Sequence, residues 1–280
     1  MIVWALFDSG NGCYKQAVDQ YFPDIEVYPI GIDVENKNDH FINLNLADYS
    51  EIFGGGGIFS TLDKLPRPDV ILASPPCESW SQMQNIKNGS FMWKDAEEVE
   101  CLFSNHVVKT PFTVQTKSDY IKGKDAINIA QGFTYKGQFE RDFKRRINGE
   151  LCVVNTLEII RRYEPKVWVI ENPAYGKMWS YLKIVHDFKG IENLAHYNDY
   201  DADWLKKPTI FLSNIFLDLK ANGLRSKKQI RNKTANQERI MGYNERSNIP
   251  LLLIKHILER CKEVIENDTE CNGNYSRQSE

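Results

Sequence analysis

A doubly wound, mostly parallel α/β sheet is the fold class predicted by this 280-residue sequence. Three observations lead there. Short apolar runs alternate with stretches of helical periodicity, the pattern of strands joined by covering helices. The first run closes on a Gly-containing turn that opens a helix, as the first βα unit of an open sheet does. Two later runs end in Ser74-Pro75-Pro76-Cys77 and Glu171-Asn172-Pro173, putting reactive groups where such sheets keep their chemistry.

In chain order, Ile2 to Phe7 reads as the first strand and Cys13 to Phe22 as the helix after the turn. Val27 to Ile32 is the second strand, closed by Asp33, and Phe41 to Leu46 is extended. The run of glycines from Gly54 to Gly57 reads as a flexible loop, because no Lys-Ser/Thr follows to complete a nucleotide phosphate loop. Val70 to Ala73 is the strand before the cysteine. Leu151 to Tyr163 spaces Val153, Val154, Leu157, Ile159 and Ile160 as a helix that covers a sheet face. Val167 to Ile170 is the strand before Glu171. The expected organisation is a body of residues 1–83 and 150–265, a polar, aromatic and basic insertion at 84–149, and a flexible tail at 266–280.

Apolar residues at 42% and charged residues at 26% are ordinary fractions for a globular protein, so a sizeable core is expected. No apolar run is long enough to cross a bilayer. The start, Met1 to Phe7, lacks a basic leader and a cleavage site and reads as strand. Cys13, Cys77, Cys101, Cys152, Cys261 and Cys271 show neither paired metal spacing nor a secreted framework, which favours a reducing cytosol. A net charge of −3 does not advertise nucleic-acid binding, but its distribution does. Lys220, Arg225, Lys227, Lys228, Arg231, Lys233 and Arg239 crowd one segment, and Arg141, Lys144, Arg145 and Arg146 a second. Either patch alone reads as solvated surface; beside a nucleobase-type site, phosphate binding is the better reading.

The chemistry centres on Cys77 and Glu171. A thiol and a carboxylic acid on two strand ends suit attack on an electron-poor ring, with the acid activating that ring. Pro75 and Pro76 restrict the backbone and hold the thiol in place. Taken singly, Cys77 is a small buried residue and Glu171 a capping or ion-paired acid; their order and setting favour the chemical reading. At the other end, Phe7-Asp8-Ser9-Gly10-Asn11-Gly12 lets a ligand approach the backbone at a helix N-terminus. Asp33 is placed to accept ribose hydroxyls, and Asp48 could reach an adenine amino group, though alone it reads as a cap or turn residue. An adenosine site fits NAD, FAD or S-adenosylmethionine. The missing third glycine, with the cysteine and glutamate motifs, turns the choice to S-adenosylmethionine.

The order Phe7-Asp-Ser-Gly-Asn-Gly12, Asp33, Pro75-Pro-Cys77, Glu171-Asn-Pro173 resembles the cytosine-C5 DNA methyltransferases, in particular the compact forms of phages and mobile elements. Thr156-Leu-Glu-Ile-Ile160, Lys207-Pro-Thr-Ile-Phe-Leu-Ser-Asn214 and Arg246-Ser-Asn-Ile-Pro250 are similar to further motifs of that family. The resemblance implies a Rossmann-like methyltransferase body, a small inserted or appended DNA-recognition region, and DNA as partner. It implies a covalent Cys77 adduct at cytosine C6, Glu171 at N3 and Lys207 near the base. It also implies cofactor contacts from Phe7, Ser9, Gly10, Asn11, Gly12, Asp33, Asp48, Pro75 and Asn248, and a restriction-modification or phage setting. A base in a duplex is out of reach of such a pocket, so the target is flipped out; Trp80, Gln82, Met83 and Gln84 are candidates to fill the gap.

Three departures stand beside the resemblance. The glycine motif carries one extra residue, Leu205-Lys-Lys-Pro-Thr209 replaces the Gln-x-Arg-x-Arg motif of larger members, and no long recognition domain follows Glu171. Sequence reading therefore falls to the 84–149 insertion or to Lys220–Arg239, or specificity is low. The alternatives are methylation of an RNA cytosine or of a base amino group, or a non-catalytic nucleic-acid-binding protein on the same scaffold.

Overall fold

The computed structural model describes residues 1–8, 12–32, 41–80, 93–94, 113–132, 134, 136–223 and 248–275. The chain divides into two compact units, Met1–Pro75 with Leu151–Ala174 and Gly190–Glu280, and Pro76–Glu150 with Tyr175–Lys189.

The first unit is built on a seven-stranded sheet of β1 (Ile2–Leu6), β2 (Glu26–Gly31), β3 (Ile42–Asn43), β4 (Val70–Ala73), β7 (Val167–Pro173), β8 (Ile191–His196) and β9 (Pro208–Ser213). Its order is β3-β2-β1-β4-β7-β9-β8. The pairs from β3 through β7 are all parallel, and β9 runs antiparallel to both its neighbours. The fold is thus α/β with a mostly parallel mixed sheet, compatible with the Rossmann-like class. Strand order winds one way from β1 to β3 and the other from β1 to β4. That reversal opens a crevice at the carboxyl ends of β1 and β4, where open sheets of this kind bind ligands.

Period-two alternation sorts the strand side chains. Val3, Ala5, Val70, Leu72, Val167 and Val169 face a common core with Ala17 and Val18 of α1 (Cys13–Tyr21). Leu253, Ile254, Ile257 and Leu258 of α6 (Leu251–Tyr275) complete it, at the three- and four-residue spacing of an amphipathic helix. Trp4 and Ile71 alternate to the other face, where the Trp4 ring meets Tyr163 of α4 (Phe139–Tyr163) edge-on at 4.6 Å. α6 continues past Asn267, where sequence polarity predicts fraying. A short helix, α2 (Phe59–Leu62), precedes β4.

Two further boundaries differ from the sequence reading in ways that bear on the site. β7 does not stop at Ile170: Glu171, Asn172 and Pro173 stay in the strand because β9 pairs with them, Glu171 opposite Phe211 and Pro173 opposite Thr209. The side chains that end β9 secure this pairing. Ser213 Oγ donates to the Trp168 carbonyl at 2.7 Å, and Asn214 accepts from Trp168 N–H and donates to the Lys166 carbonyl. The second difference is α4, which begins at Phe139 rather than Leu151 and so crosses the expected end of the insertion.

The second unit holds α3 (Lys117–Gln131), the first half of α4, α5 (Met178–Val185) and the two-stranded β5 (Trp93–Lys94) with β6 (Thr113–Val114). Thr116 caps α3 by accepting from Asp119 N–H, and Gly132 ends it at φ 66°. Tyr120, Phe139 and Phe143 stack in sequence to fasten α3 to α4. Among the described residues, no helix is long and apolar enough to cross a membrane.

Candidate functional site

At the crevice of the first unit, β1 ends in a tight reversal. Phe7 takes a positive φ of 61° and donates its N–H to the Ile30 carbonyl at 2.8 Å. A left-handed non-glycine residue stores about 1–3 kcal/mol, and such strain gathers at binding loops. Gly31 closes the approach from β2: a Cβ there would meet the Asp8 carbonyl at 2.9 Å, so a side chain would push the loop away. Gly12, at φ 51°, stands at the N-terminus of α1. Asp8 is buried beside Cys13, whose thiol is pushed far above its ordinary range by burial first and the Asp8 charge second. Across the switch point, the Tyr14 hydroxyl and Ser74 Oγ share a hydrogen bond of 2.7 Å. Ser9, Gly10, Asn11 and Asp33, read as cofactor residues, lie outside the described residues.

Pro75 is buried, and its carbonyl accepts from Asn172 Nδ2 at 2.8 Å, joining the end of β4 to the end of β7. Asn248 stands before α6 on the wall of a cavity of about 370 Å³ that runs along α1 past Cys13, Gln16 and Gln20. Its Oδ1 is buried and has no hydrogen-bond partner among the described residues. Asp48 behaves differently. Its two carboxylate oxygens accept from the backbone N–H and hydroxyl of Ser50, the capping role that an isolated Asp takes before a turn.

Glu171 is the centre of the second cluster. Only 6% exposed, it accepts from the Tyr197 hydroxyl at 3.0 Å on Oε1, and Lys207 Nζ stands 3.8 Å from the same oxygen. Lys207 also lies over the Tyr197 ring, 4.8 Å from its centre. A buried carboxylate without such partners is strongly disfavoured, so donor and cation define how Glu171 is held. Burial first, and then the Glu171 charge, keep the Tyr197 hydroxyl protonated well beyond the usual tyrosine range. It is therefore a fixed donor. The expected neighbours Glu171 and Lys207 are brought together because β9 starts beside the end of β7.

Cys77 belongs to the second unit, two residues beyond Pro75, and opens a short 3-10 turn, Cys77–Ser79. It is half-buried, whereas Cys13, Cys152 and Cys261 are buried. Trp80 is fully buried, packs against Tyr181 at 4.9 Å, and accepts through its carbonyl from Lys177 N–H. It anchors the turn, so of the two roles open to it from sequence, gap filler or packing residue, Trp80 takes the packing one here. Gln82, Met83 and Gln84 lie outside the described residues. So does residue 224–247, the greater part of the Lys220–Arg239 segment. Lys220 itself covers the Tyr200 ring. In the other basic patch, Arg146 corrects the sequence reading: it is buried, paired with Glu150 at 2.8 Å and stacked on Phe143.

Sequence reasoning passes over Asp8 and Tyr14 as individual contributors, whereas Asn172 is expected to help fix the Glu171 carboxylate. Asp8 sits inside a motif already singled out, and its burial sets it apart. Tyr14 carries no such signal, since its partner Ser74 is 60 residues away. No protein-family profile matches the chain, and no curated protein matches its sequence.

Proposed function

We propose that the protein transfers a methyl group from S-adenosylmethionine to C5 of a cytosine in DNA. One observation carries the reading. Glu171, buried and gripped by Tyr197 and Lys207, stands on the strand next to β4, and its neighbour Asn172 is bonded to Pro75 of the Pro75-Pro76-Cys77 run. A carboxyl group held so firmly beside the strand that leads into a half-buried cysteine suits ring activation with nucleophilic addition.

The first unit also suits an adenosyl ligand. Gly31 leaves no room for a side chain against the Asp8 carbonyl, and Asn248 offers an unpartnered buried acceptor to its cavity. Phe7, Asp8, Gly12, Pro75 and Asn248 would hold the cofactor, which supplies an electrophilic methyl group when bound. The chain's own residues do the rest. The Cys77 thiolate forms a bond to C6, and the displaced electron pair makes C5 nucleophilic. Glu171, held through Oε1 by Tyr197 and Lys207, takes a proton from solvent as the base enters and shares it with N3 as charge gathers on the ring. Once C5 is substituted, a base takes the C5 proton, the C5–H electron pair re-forms the C5–C6 double bond, the S–C6 pair leaves with sulfur as the Cys77 thiolate, and N3 returns its proton to Glu171.

A 5-fluorocytosine in the target position has no C5 proton to lose, so the adduct persists. Wild-type protein with S-adenosylmethionine and mixed-sequence duplex DNA carrying 5-fluorocytosine should give a denaturation-resistant adduct. Cys77→Ala should give none while still binding the cofactor by calorimetry. Wild-type protein that binds cofactor but forms no adduct across a broad sequence set would refute the reading.

A further inference from the structure

We infer that the basic pocket of the second unit is a clamp for a backbone phosphate of the DNA strand. This inference rests on the methyltransferase reading for the identity of its strand, and deepens it. Arg141, Lys144, Arg145 and Asn148 follow the three- and four-residue spacing that puts side chains on one face of a helix. They line one side of a pocket of about 290 Å³; Glu78 and Ser79, from the turn opened by Cys77, line the other.

The pocket is built in advance of its ligand. Asp142, buried behind the stripe, accepts from the Tyr120 hydroxyl at 2.6 Å, and Tyr120 in turn accepts from Gln138 N–H. The other Asp142 oxygen lies 3.4 Å from Arg141 Nε and 3.3 Å from Arg145 Nη1. One fixed carboxylate thus orients two guanidinium groups; Arg145 Nε also faces Glu78, and the Nη2 donors of both arginines have no carboxylate partner among the described residues. Lys144 is exposed and has no carboxylate partner among the described residues. Ser79 Oγ, buried on the opposite wall, has no hydrogen-bond partner there either.

Charge and size then choose the ligand. Three cations stand against two paired carboxylates, Asp142 and the half-exposed Glu78 at 3.5 Å from Arg145, leaving one positive charge. A phosphodiester carries one negative charge and acceptor oxygens matched to guanidinium forks. The volume is at the small end for a whole small-molecule ligand, which needs roughly 300–1,000 Å³, yet ample for one phosphate of a chain that continues outside. Because the same turn begins with Cys77, the phosphate held is one that flanks the reacting nucleotide. It fixes the strand while the base leaves the stack.

Salt dependence tests this directly. Affinity for a labelled mixed-sequence duplex would be measured from 50 to 200 mM salt for wild type, Lys144→Gln and Arg141→Gln/Arg145→Gln. Removing the clamp should make the slope of log affinity against log salt shallower by about 0.9 per lost phosphate contact. It should also weaken binding about tenfold or more at low salt. Lys144 is exposed, so its variant keeps the fold; thermal melts would confirm this for the double variant. Unchanged slopes in both variants, or no duplex binding by the wild type, would overturn the clamp. Tighter binding of an RNA duplex with the same dependence on Lys144 would overturn its assignment to DNA. The 5-fluorocytosine adduct separates the two readings. An adduct with unchanged slopes sinks the clamp alone, and changed slopes without an adduct sink the methyl transfer alone.

Discussion

Glu171 and Cys77 owe their different characters to what surrounds each of them. The carboxylate is buried and receives a phenolic donor and an ammonium group on one oxygen; the thiol is half-buried on a short turn. The three other cysteines with described side chains are sealed in, and burial pushes the Cys152 and Cys261 thiols up to about 12, beyond use as nucleophiles near neutrality. Tyr197→Phe isolates the contribution of the phenolic donor. A hydrogen bond to a charged group is worth about 1.5–3 kcal/mol, so single-turnover adduct formation should slow by roughly 10- to 100-fold. The change in urea midpoint should be small, because the ring and its packing remain. An adduct rate equal to wild type would show that Tyr197 does not hold Glu171 in the reacting complex.

Secondary-structure elements impose the next constraint, and α4 shows it most clearly. Gly149 sits within this helix although glycine is about 1 kcal/mol poorer than alanine there. The reason is a close approach: a Cβ at 149 would lie 2.0 Å from Ser79 Oγ and 3.2 Å from Trp80 Nε1. Gly149→Ala therefore gains helix propensity but displaces the turn that begins at Cys77. Overpacking of this kind costs about 1–3 kcal/mol. The expected result is an unchanged or lower melting temperature with at least tenfold slower 5-fluorocytosine adduct formation. Adding Ser79→Gly, which removes the colliding hydroxyl, should restore part of that rate. β9 acts comparably in the first unit: by pairing with Glu171, Asn172 and Pro173 it holds the glutamate in regular strand, where its side chain has a fixed direction.

Over the whole molecule, the buried acids set an upper pH limit on stability. Cys13, Cys152, Cys261, Tyr14 and Tyr197 all hold their protons more tightly in the folded chain than when exposed, mainly through burial. Raised folded pKa values mean that the unfolded chain binds fewer protons once the pH exceeds its ordinary thiol and phenol values. Stability is therefore fully present below about pH 8.5, the ordinary thiol value, and declines as pH rises above it. Each thiol removes about 1.4 kcal/mol per pH unit across that window, with the tyrosines joining near pH 10. Urea unfolding between pH 7.5 and 10.5 should show this decline, and Cys152→Ala should make it shallower by the share of one thiol. A flat profile would refute the assignment.

What the sequence determined by itself was the plan that local pattern encodes. Alternation of short apolar runs with helical periodicity specified the parallel strands β1, β2, β4 and β7, because each strand's two faces and each helix's buried stripe are written in consecutive residues. The same runs placed Cys77 and Glu171 beyond or near strand ends, and Lys207 came from motif resemblance. Tertiary structure alone decided the remainder. That β9 is inserted in reverse and extends β7 depends on pairing between segments about 40 residues apart, which no local period records. Burial of Arg146 and Trp80 likewise depends on packing partners elsewhere in the chain, where composition reads only a cation and an aromatic ring. The Tyr197 grip on Glu171 has the same origin. A side chain's chemistry is written in the sequence, but its solvent exposure and hydrogen-bond partners exist only once distant segments close around it.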